Sequence, residues 1–317
     1  MAAPLPSKVL FFGATGIIGK YIIASLVEAK SSFQKVGIFT SSGTLSKKAD
    51  DIAKLKAKGV EVIVGDVENE NDVKKAYEGY DTVISALGRS VILAQIPLLK
   101  LAEASSTITH FYPSEYGTDI EYGPQSPSEK PHQLKLKVRA YVRENVRRLK
   151  VTYLVTGPYS DLYIDKIGYD EFVKAGTFDV KAKKAVLLGT GKEKVSFTTM
   201  RDVGQLLVAA LKTPVDKSPR VLKVNSFTAT PEEILKEFEK QTGAKWQVEY
   251  TPLNELKKVE KEIWDSGSPF GTLFTLRRIW TEGGTLYAER DNGKIGDPSL
   301  ETLEEQVRKV VAKQTSA

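Results

Sequence analysis

The stretch "KVLFFGATGIIGK" (residues 8–20) decides the fold of this chain. An apolar run, Val9 to Phe12, stops at Gly13. Gly16 and Gly19 follow at three-residue steps, and Ile18, Ile22, Ile23, Leu26 and Val27 then recur at helical spacing. Strand, glycine turn and helix in that order form a phosphate site for physical reasons. The first glycine permits the tight turn, the second lets backbone approach a pyrophosphate, and the third lets helix pack on strand. The helix N-terminus presents free N–H groups and partial positive charge to the anion. The glycines alone would mark only a structural turn; the flanking strand and helix give them their nucleotide reading.

The alternation continues along the chain. Short apolar segments at 35–40, 60–66, 81–88, 108–117 and 151–157 read as strands, and segments 44–58, 69–80, 91–104 and 131–148 read as helices. Strands without clean in–out alternation fit a parallel sheet covered on both faces. The expected fold is therefore α/β, a Rossmann-type doubly wound parallel sheet, with a smaller α+β substrate domain. After Gly157 the rhythm changes to the aromatic, irregular "YSDLYIDKIGYDEFVKAGTF" (159–178). Segment 195–211 reads as strand, N-cap and helix, 220–226 as a strand, and 230–243 as a helix with Thr230, Pro231, Glu233 and Gly243 as its start and stop signals. This places 1–157 plus 195–228 in an NADP-binding Rossmann domain, and 158–194 plus 229–317 in a smaller substrate-binding domain.

Composition bounds the chemistry. With 317 residues, 41% hydrophobic and 27% charged, the chain buries a full core. A net charge of +6 and a pI of about 9.1 favour approach of an anionic cofactor. No dense basic patch interleaved with aromatics points to nucleic acid. Cysteine is absent, which removes disulfides, thiolate nucleophiles and Cys-ligated metals, and His110 and His132 alone cannot build a multi-His metal site. "MAAPLPSK" lacks the apolar core of a signal peptide, and no apolar run approaches a membrane span. The expectation is a cytoplasmic protein, monomer or homodimer, that binds neither nucleic acid nor membrane and acts on a small molecule.

Ligands of such sheets lie beyond the carboxyl ends of the strands, so the residues just after each strand are the candidates. Gly13, Thr15, Gly16, Ile17, Ile18 and Gly19 form the expected phosphate loop. An NAD-preferring site commonly carries Asp or Glu after the second strand, yet no carboxylate occurs from residue 29 to 49. Thr40, Ser41, Lys47 and Lys48 stand there instead, and hydroxyl and ammonium groups suit a 2′-phosphate. The expected cofactor is NADP(H); the bland alternative is a solvated loop followed by a helix surface. Asp66 is expected at the adenine end, Ala86, Leu87 and Gly88 beside the ribose and pyrophosphate, and Pro113 and Ser114 near the nicotinamide.

Taken together, "GATGIIGK", "FYPSEYG", "KLKVR", "VSFTTMRDVG" and "VNSFTATPEEIL" resemble, in order and spacing, the isoflavone reductase-like or NmrA-like group of atypical short-chain dehydrogenases. That group includes phenylcoumaran benzylic ether reductases and pinoresinol–lariciresinol reductases. The resemblance implies an NADPH-binding fold and, in active members, hydride delivery to a small aromatic substrate. It also implies a catalytic lysine in the K-x-K-V-R context, which Lys135 matches. A partly buried lysine there can exchange protons or position the ribose. Two other roles remain open on the same fold: a dinucleotide-sensing regulatory protein without turnover, and a non-redox enzyme.

The chain departs from the group in three places. No arginine precedes Arg89, so Thr40, Ser41 and the lysines replace the usual arginine after the second strand. The "SN-x-F" segment becomes "TGPY", placing Gly157, Pro158 and Tyr159 at the cofactor and substrate wall. Pro131 stands four residues before Lys135, which removes the Tyr-x-x-x-Lys relay of ordinary short-chain dehydrogenases. Glu115, Tyr159 and Tyr163 are the expected substrate contacts. Glu115, Asp119 and Glu121 also read as a carboxylate cluster of the kind loops carry for solubility. His132 either faces substrate or caps the helix, Trp264 either lines the pocket or packs the second domain, and Arg139 and Arg143 read as a solvated basic face.

Overall fold

The structure, a computed structural model, describes residues 4–316. Its elements run β1 (Lys8–Phe12), α1 (Gly19–Glu28), β2 (Lys35–Thr40), α2 (Ser42–Lys47), α3 (Ala49–Ala57), β3 (Glu61–Val64), α4 (Glu70–Tyr77) and β4 (Thr82–Ser85). Then follow α5 (Gln95–Ala104), β5 (His110–Tyr112), α6 (Gln133–Asn145), β6 (Lys150–Val155) and α7 (Ser160–Tyr163). The remainder comprises β7 (Thr177–Asp179), β8 (Lys184–Leu188), β9 (Val195–Phe197), α8 (Met200–Leu211), β10 (Arg220–Lys223) and β11 (Phe227–Ala229). Helix α9 (Pro231–Thr242), β12 (Gln247–Thr251), α10 (Leu253–Asp265), α11 (Gly271–Thr281) and α12 (Leu303–Ser316) complete it.

Seven strands form one parallel sheet in the order β10-β6-β5-β4-β1-β2-β3. Both faces are covered, which is why its strands read as apolar runs. Ile22 and Leu26 of α1 meet Val203, Leu206 and Leu207 of α8 on one face. Val73, Leu98, Leu99, Val138 and Val142, from α4, α5 and α6, cover the other. The chain runs from β1 to β2 on one side and reaches β4 on the other, so the strand order reverses beside β1 and opens the crevice a ligand needs. Phe12 is in register with Phe39 and with Ser85, which sets the glycine loop between residues 40–41 and 86–88.

Local chemistry explains where the elements differ from the sequence reading. The expected helix 44–58 is two helices, because Ser41 caps α2 early and the backbone breaks at Lys48 before the Asp50 and Asp51 turn of α3. The segment 91–104 opens as a 3-10 turn, and only Gln95–Ala104 is α-helical; Pro97 falls in its first turn, where no N–H is required. Pro131 likewise makes Lys130–His132 a 3-10 turn ahead of α6. Helix α9 carries the full Thr230–Glu233 capping box and stops at Gly243.

The smaller unit holds a three-stranded sheet, β12-β8-β7, and the antiparallel pair β9–β11. Its core stacks Phe178 on Phe238, with ring centroids 5.2 Å apart, and adds Trp246, Ile234 and Val307. Strand β10 joins the large sheet and α8 packs on α1, whereas Val195 and Phe197 of β9 enter the smaller core. The chain therefore crosses between the two units repeatedly. Among the described residues no helix is long and apolar enough to cross a membrane.

Candidate functional site

The glycine loop is shaped by what it must avoid. Gly13 adopts φ +89°, and a Cβ there would lie 2.6 Å from the Ala86 carbonyl oxygen. A Cβ on Gly19 would collide with the Gly13 carbonyl, so these two positions admit glycine alone. The loop closes through the Gly16 N–H to the Gly13 carbonyl at 3.0 Å. Helix α1 then begins with no side-chain cap and no acidic residue in its first turn. Its open N–H groups and positive pole face whatever occupies the loop. Thr15 is half-buried, and Gly16 and Ile17 are exposed at the loop surface.

Along the same sheet edge the other strand ends divide. Thr40 is buried, while the Ser41 hydroxyl accepts from the Thr44 N–H at 3.1 Å and is occupied as the α2 cap. Lys47 and Lys48 are exposed at the end of α2. Asp66 is exposed and accepts from the Glu68 N–H at 3.0 Å, steadying its own turn. Ala86 is buried against Gly13, and Gly88 is exposed. Pro113 is buried beside Ser114, whose hydroxyl donates to the Leu87 carbonyl at 3.0 Å and ties the β5 end to the β4 end.

Beyond Ser114 a cleft of about 440 Å³ opens, walled by both units. Ile17, Ile18 and Leu87 line it from the glycine-loop and β4 ends, together with Lys135, Gly157 and Pro158. Tyr159, Tyr163 and Trp280 supply aromatic walls. Thr40, Ser41, Lys47, Lys48 and Asp66 lie outside it, along the sheet edge. Lys135, in the first turn of α6, makes no hydrogen bond or ion pair among the described residues. Burial pushes its pKa down from 10.5 to about 8, the Glu115 charge opposes that, and Arg89 and Arg139 add to it.

Glu115 does not line the cleft. It is 1% exposed, and both its oxygens are held by Arg139, at 3.2 Å from Nε and 3.0 Å from Nη2. Arg139 also binds Asp119 at 3.2 Å and Glu121 at 2.9 Å, and Lys223 reaches Asp119 at 3.1 Å. The carboxylate cluster is therefore a buried ionic network beneath the cleft, not a solubilising loop, and Arg139 belongs to it and not to a solvated face. Only Arg143, paired with Glu121 at 2.8 Å, keeps an exposed position. Tyr159 lines the cleft with its ring while its hydroxyl donates to the Tyr116 carbonyl at 2.5 Å. His132 is buried in the cleft wall with Nδ1 3.0 Å from the Ser126 carbonyl and Nε2 unpartnered, and burial lowers its pKa. Trp264 stays outside, its Nε1 donating to Thr275 at 2.9 Å between α10 and α11.

Helix α11 provides what the sequence reading passed over. Trp280 donates to the Thr118 hydroxyl at 2.7 Å, fastening α11 to the loop after β5. Arg277, on the buried face with Phe274 and Ile279, lines the cleft beside it. An arginine within the apolar face of "GTLFTLRRIWT" was the available signal. Arg89, whose Nη1 donates to the Pro131 carbonyl at 2.8 Å, is a second lining cation.

Comparison with known proteins agrees with this geometry. Phenylcoumaran benzylic ether reductase PT1 of Pinus taeda is 26% identical over 299 residues, 93% of this chain and 92% of that protein. Isoflavone reductase of Pisum sativum is 25% identical, covering 91% of each. A leucoanthocyanidin reductase–NADPH complex of Vitis vinifera superposes with a TM-score of 0.78 at 22% identity, covering 96% of this chain and all of that one. The sequence pattern of the NmrA-like family matches residues 6–277. With the glycine loop, the seven-stranded parallel sheet and the cleft at its edge, this match establishes that the chain belongs to the NmrA-like family.

Proposed function

We propose that this protein is an NADPH-dependent reductase that transfers hydride to a small aromatic or phenolic substrate, with Lys135 moving the accompanying proton. The observation that carries the reading is the Lys135 amino group: it lines the cleft, has no protein partner among the described residues, and burial pushes its pKa down to about 8. A lysine on a solvated face would stand outside the cleft and keep its ordinary pKa.

The residues fit the cofactor. The missing Cβ of Gly13, the uncapped, acid-free start of α1 and the exposed Lys47 and Lys48 suit a phosphate-rich dinucleotide carrying a 2′-phosphate. Bound there, the dinucleotide supplies the hydride. Ser114, Gly157 and Pro158 shape the cleft at its reactive end, and Tyr159, Tyr163 and Trp280 receive an aromatic ring. Lys135 accepts a proton from a substrate phenol, or returns one to oxygen, without the help of a tyrosine four residues earlier. Support comes also from relatives that are named as reductases and from the NADPH in the Vitis vinifera structure.

The test is NADPH oxidation by the purified chain with a panel of phenolic ethers and enones. We expect turnover with at least one class, and a loss of about 10²–10⁴-fold in Lys135→Ala with dinucleotide affinity kept. A Lys135→Ala variant as active as the parent would overturn the lysine assignment. Dinucleotide binding without oxidation across the panel would favour the sensing role.

A further inference from the structure

Three cations line the cleft, Arg89, Lys135 and Arg277, and among the described residues no aspartate or glutamate does. Arg89 and Lys135 come from the dinucleotide side. Arg277 comes from α11, with its guanidinium close to the Tyr163 and Trp280 rings.

The surroundings of Arg277 are neutral. It is 2% exposed, and its Nη1 and Nη2 donate to the Tyr163 and Leu162 carbonyls at 3.2 and 3.1 Å. Its guanidinium lies 3.9 Å from the Tyr163 ring centroid. The Nε–H has no acceptor, and no carboxylate among the described residues reaches the group. Burial pulls its pKa down to about 10, with Tyr163 opposing the shift and no carboxylate contributing. The adjacent residue is treated differently: Arg278 holds Glu129 at 2.6 Å, Glu260 at 2.6 Å and Glu282 at 2.9 Å. A role as clasp for the end of α7 accounts for the three hydrogen bonds to the Tyr163 and Leu162 carbonyls. It accounts neither for a full buried charge without a counter-ion nor for the free Nε–H. Burying an unpaired charge is costly, and that cost falls when a ligand brings the opposite charge.

We infer that Arg277 is a specificity-determining residue, the counter-ion for a carboxylate on the substrate, so that the cleft takes a small aromatic carboxylate in preference to a neutral compound of similar size. The inference rests on the reading of this cleft as the aromatic-substrate site. Tyr159, Tyr163 and Trp280 receive the ring and Arg277 fixes the acid, which orients the ring relative to Lys135. A site built for a polar partner rejects the analogue that lacks it, because its own group stays unpaired.

The full chain saturated with NADP+ tests this by titration calorimetry with 4-hydroxycinnamate, its methyl ester and the corresponding alcohol at pH 7. We expect the acid to bind at least about tenfold more tightly than either neutral compound. Arg277→Gln brings that ratio to near one, and Arg277→Lys keeps a preference for the acid. Equal affinities in the parent, a preference for ester or alcohol, or no binding of the acid at millimolar concentration would overturn the inference. The parent acid-to-ester ratio and Arg277→Lys carry the test if Arg277→Gln does not fold. NADPH oxidation is followed with the same compounds. Tight binding of the acid without oxidation defeats hydride transfer alone, and turnover of neutral compounds with equal affinities defeats the counter-ion alone.

Discussion

Arg139 and Arg277 are both almost wholly buried, 1% and 2% exposed, yet only Arg277 lines the cleft. Arg139, beneath the floor, meets Glu115, Asp119 and Glu121. Arg277, in the cleft wall, meets backbone carbonyls and an aromatic ring. The floor is electrically complete without any ligand, and its work is to hold the loop 115–121 against α6. The wall is incomplete, so its charge awaits a partner from outside the chain. Lys135 stands between the two. It lies one helical turn before Arg139 on α6, so that Glu115 steadies its ammonium form while burial and the neighbouring guanidinium weaken it. In this protein the distinction between structural and functional charge is the presence or absence of an internal carboxylate.

The sharpest way to break that contrast is to remove the floor's cation. Arg139→Met leaves three carboxylates facing one another, two of them buried, and we expect it to lose about 3–5 kcal/mol of stability in urea unfolding. The loss should also depend on pH. Burial alone would raise Asp119, but Arg139, the Glu121 N–H and Lys223 outweigh it and hold the carboxyl below 3.8. Its contribution is therefore present above the unfolded value and lost as pH falls through the lower folded one, so parent and variant converge in acid. A loss under about 1 kcal/mol would show that the network is ornamental.

Lys135 gives the next effect, on rate and on the alkaline limb of stability. Its folded pKa, about 8, lies below the unfolded 10.5. Between those values the unfolded chain carries a proton that the folded chain lacks, so unfolding takes up a proton and stability rises with pH across the window. Below pH 8 the penalty is fully present. Lys135→Met should accordingly gain most over the parent below pH 8 and lose that gain as pH approaches 10.5. Activity of the parent should rise through about pH 8, as the amine becomes free to accept a proton, and level off above. Parallel stability curves for parent and variant from pH 7 to 10.5 would place the lysine in solvent.

These residues also show what a sequence reveals. The glycine loop and the run of strands were legible because strand, turn and helix are local patterns with fixed periods. Lys135 was singled out through the family resemblance, and its partial burial sets it apart from the exposed Lys137 and Arg143 on the same helix. Glu115 was misplaced because its partner lies 24 residues away, and only the facing of α6 against the loop reveals that they meet. Arg277 was invisible for the same reason at longer range: the carbonyl it grips is 114 residues distant. Trp264 and Trp280 are alike in composition; a hydrogen bond to Thr275 keeps one inside the helical pair, and a bond to Thr118 carries the other to the cleft. Local pattern fixes which elements exist, whereas charge pairing across elements needs their packing.

The smallest effect belongs to the rim of the floor network, and it isolates burial as the cause of the rest. Arg143 pairs with Glu121 at 2.8 Å, shorter than the 3.2 Å of Arg139 with Asp119, yet its side chain is 50% exposed. Distance alone would rank it as an equal partner. Solvent screening and the freedom of a long exposed side chain argue for about 0–1 kcal/mol instead. Arg143→Ala should therefore shift the urea midpoint slightly at low salt, and the difference should fade at 0.5 M NaCl, where the screening length falls to roughly 4 Å. The Arg139→Met loss should persist at that salt, because Glu115 and Asp119 lie where mobile ions do not enter. If both variants lose similar stability and both respond to salt, the floor is a surface ion network, and the contrast between Arg139 and Arg277 reduces to one of contact distance.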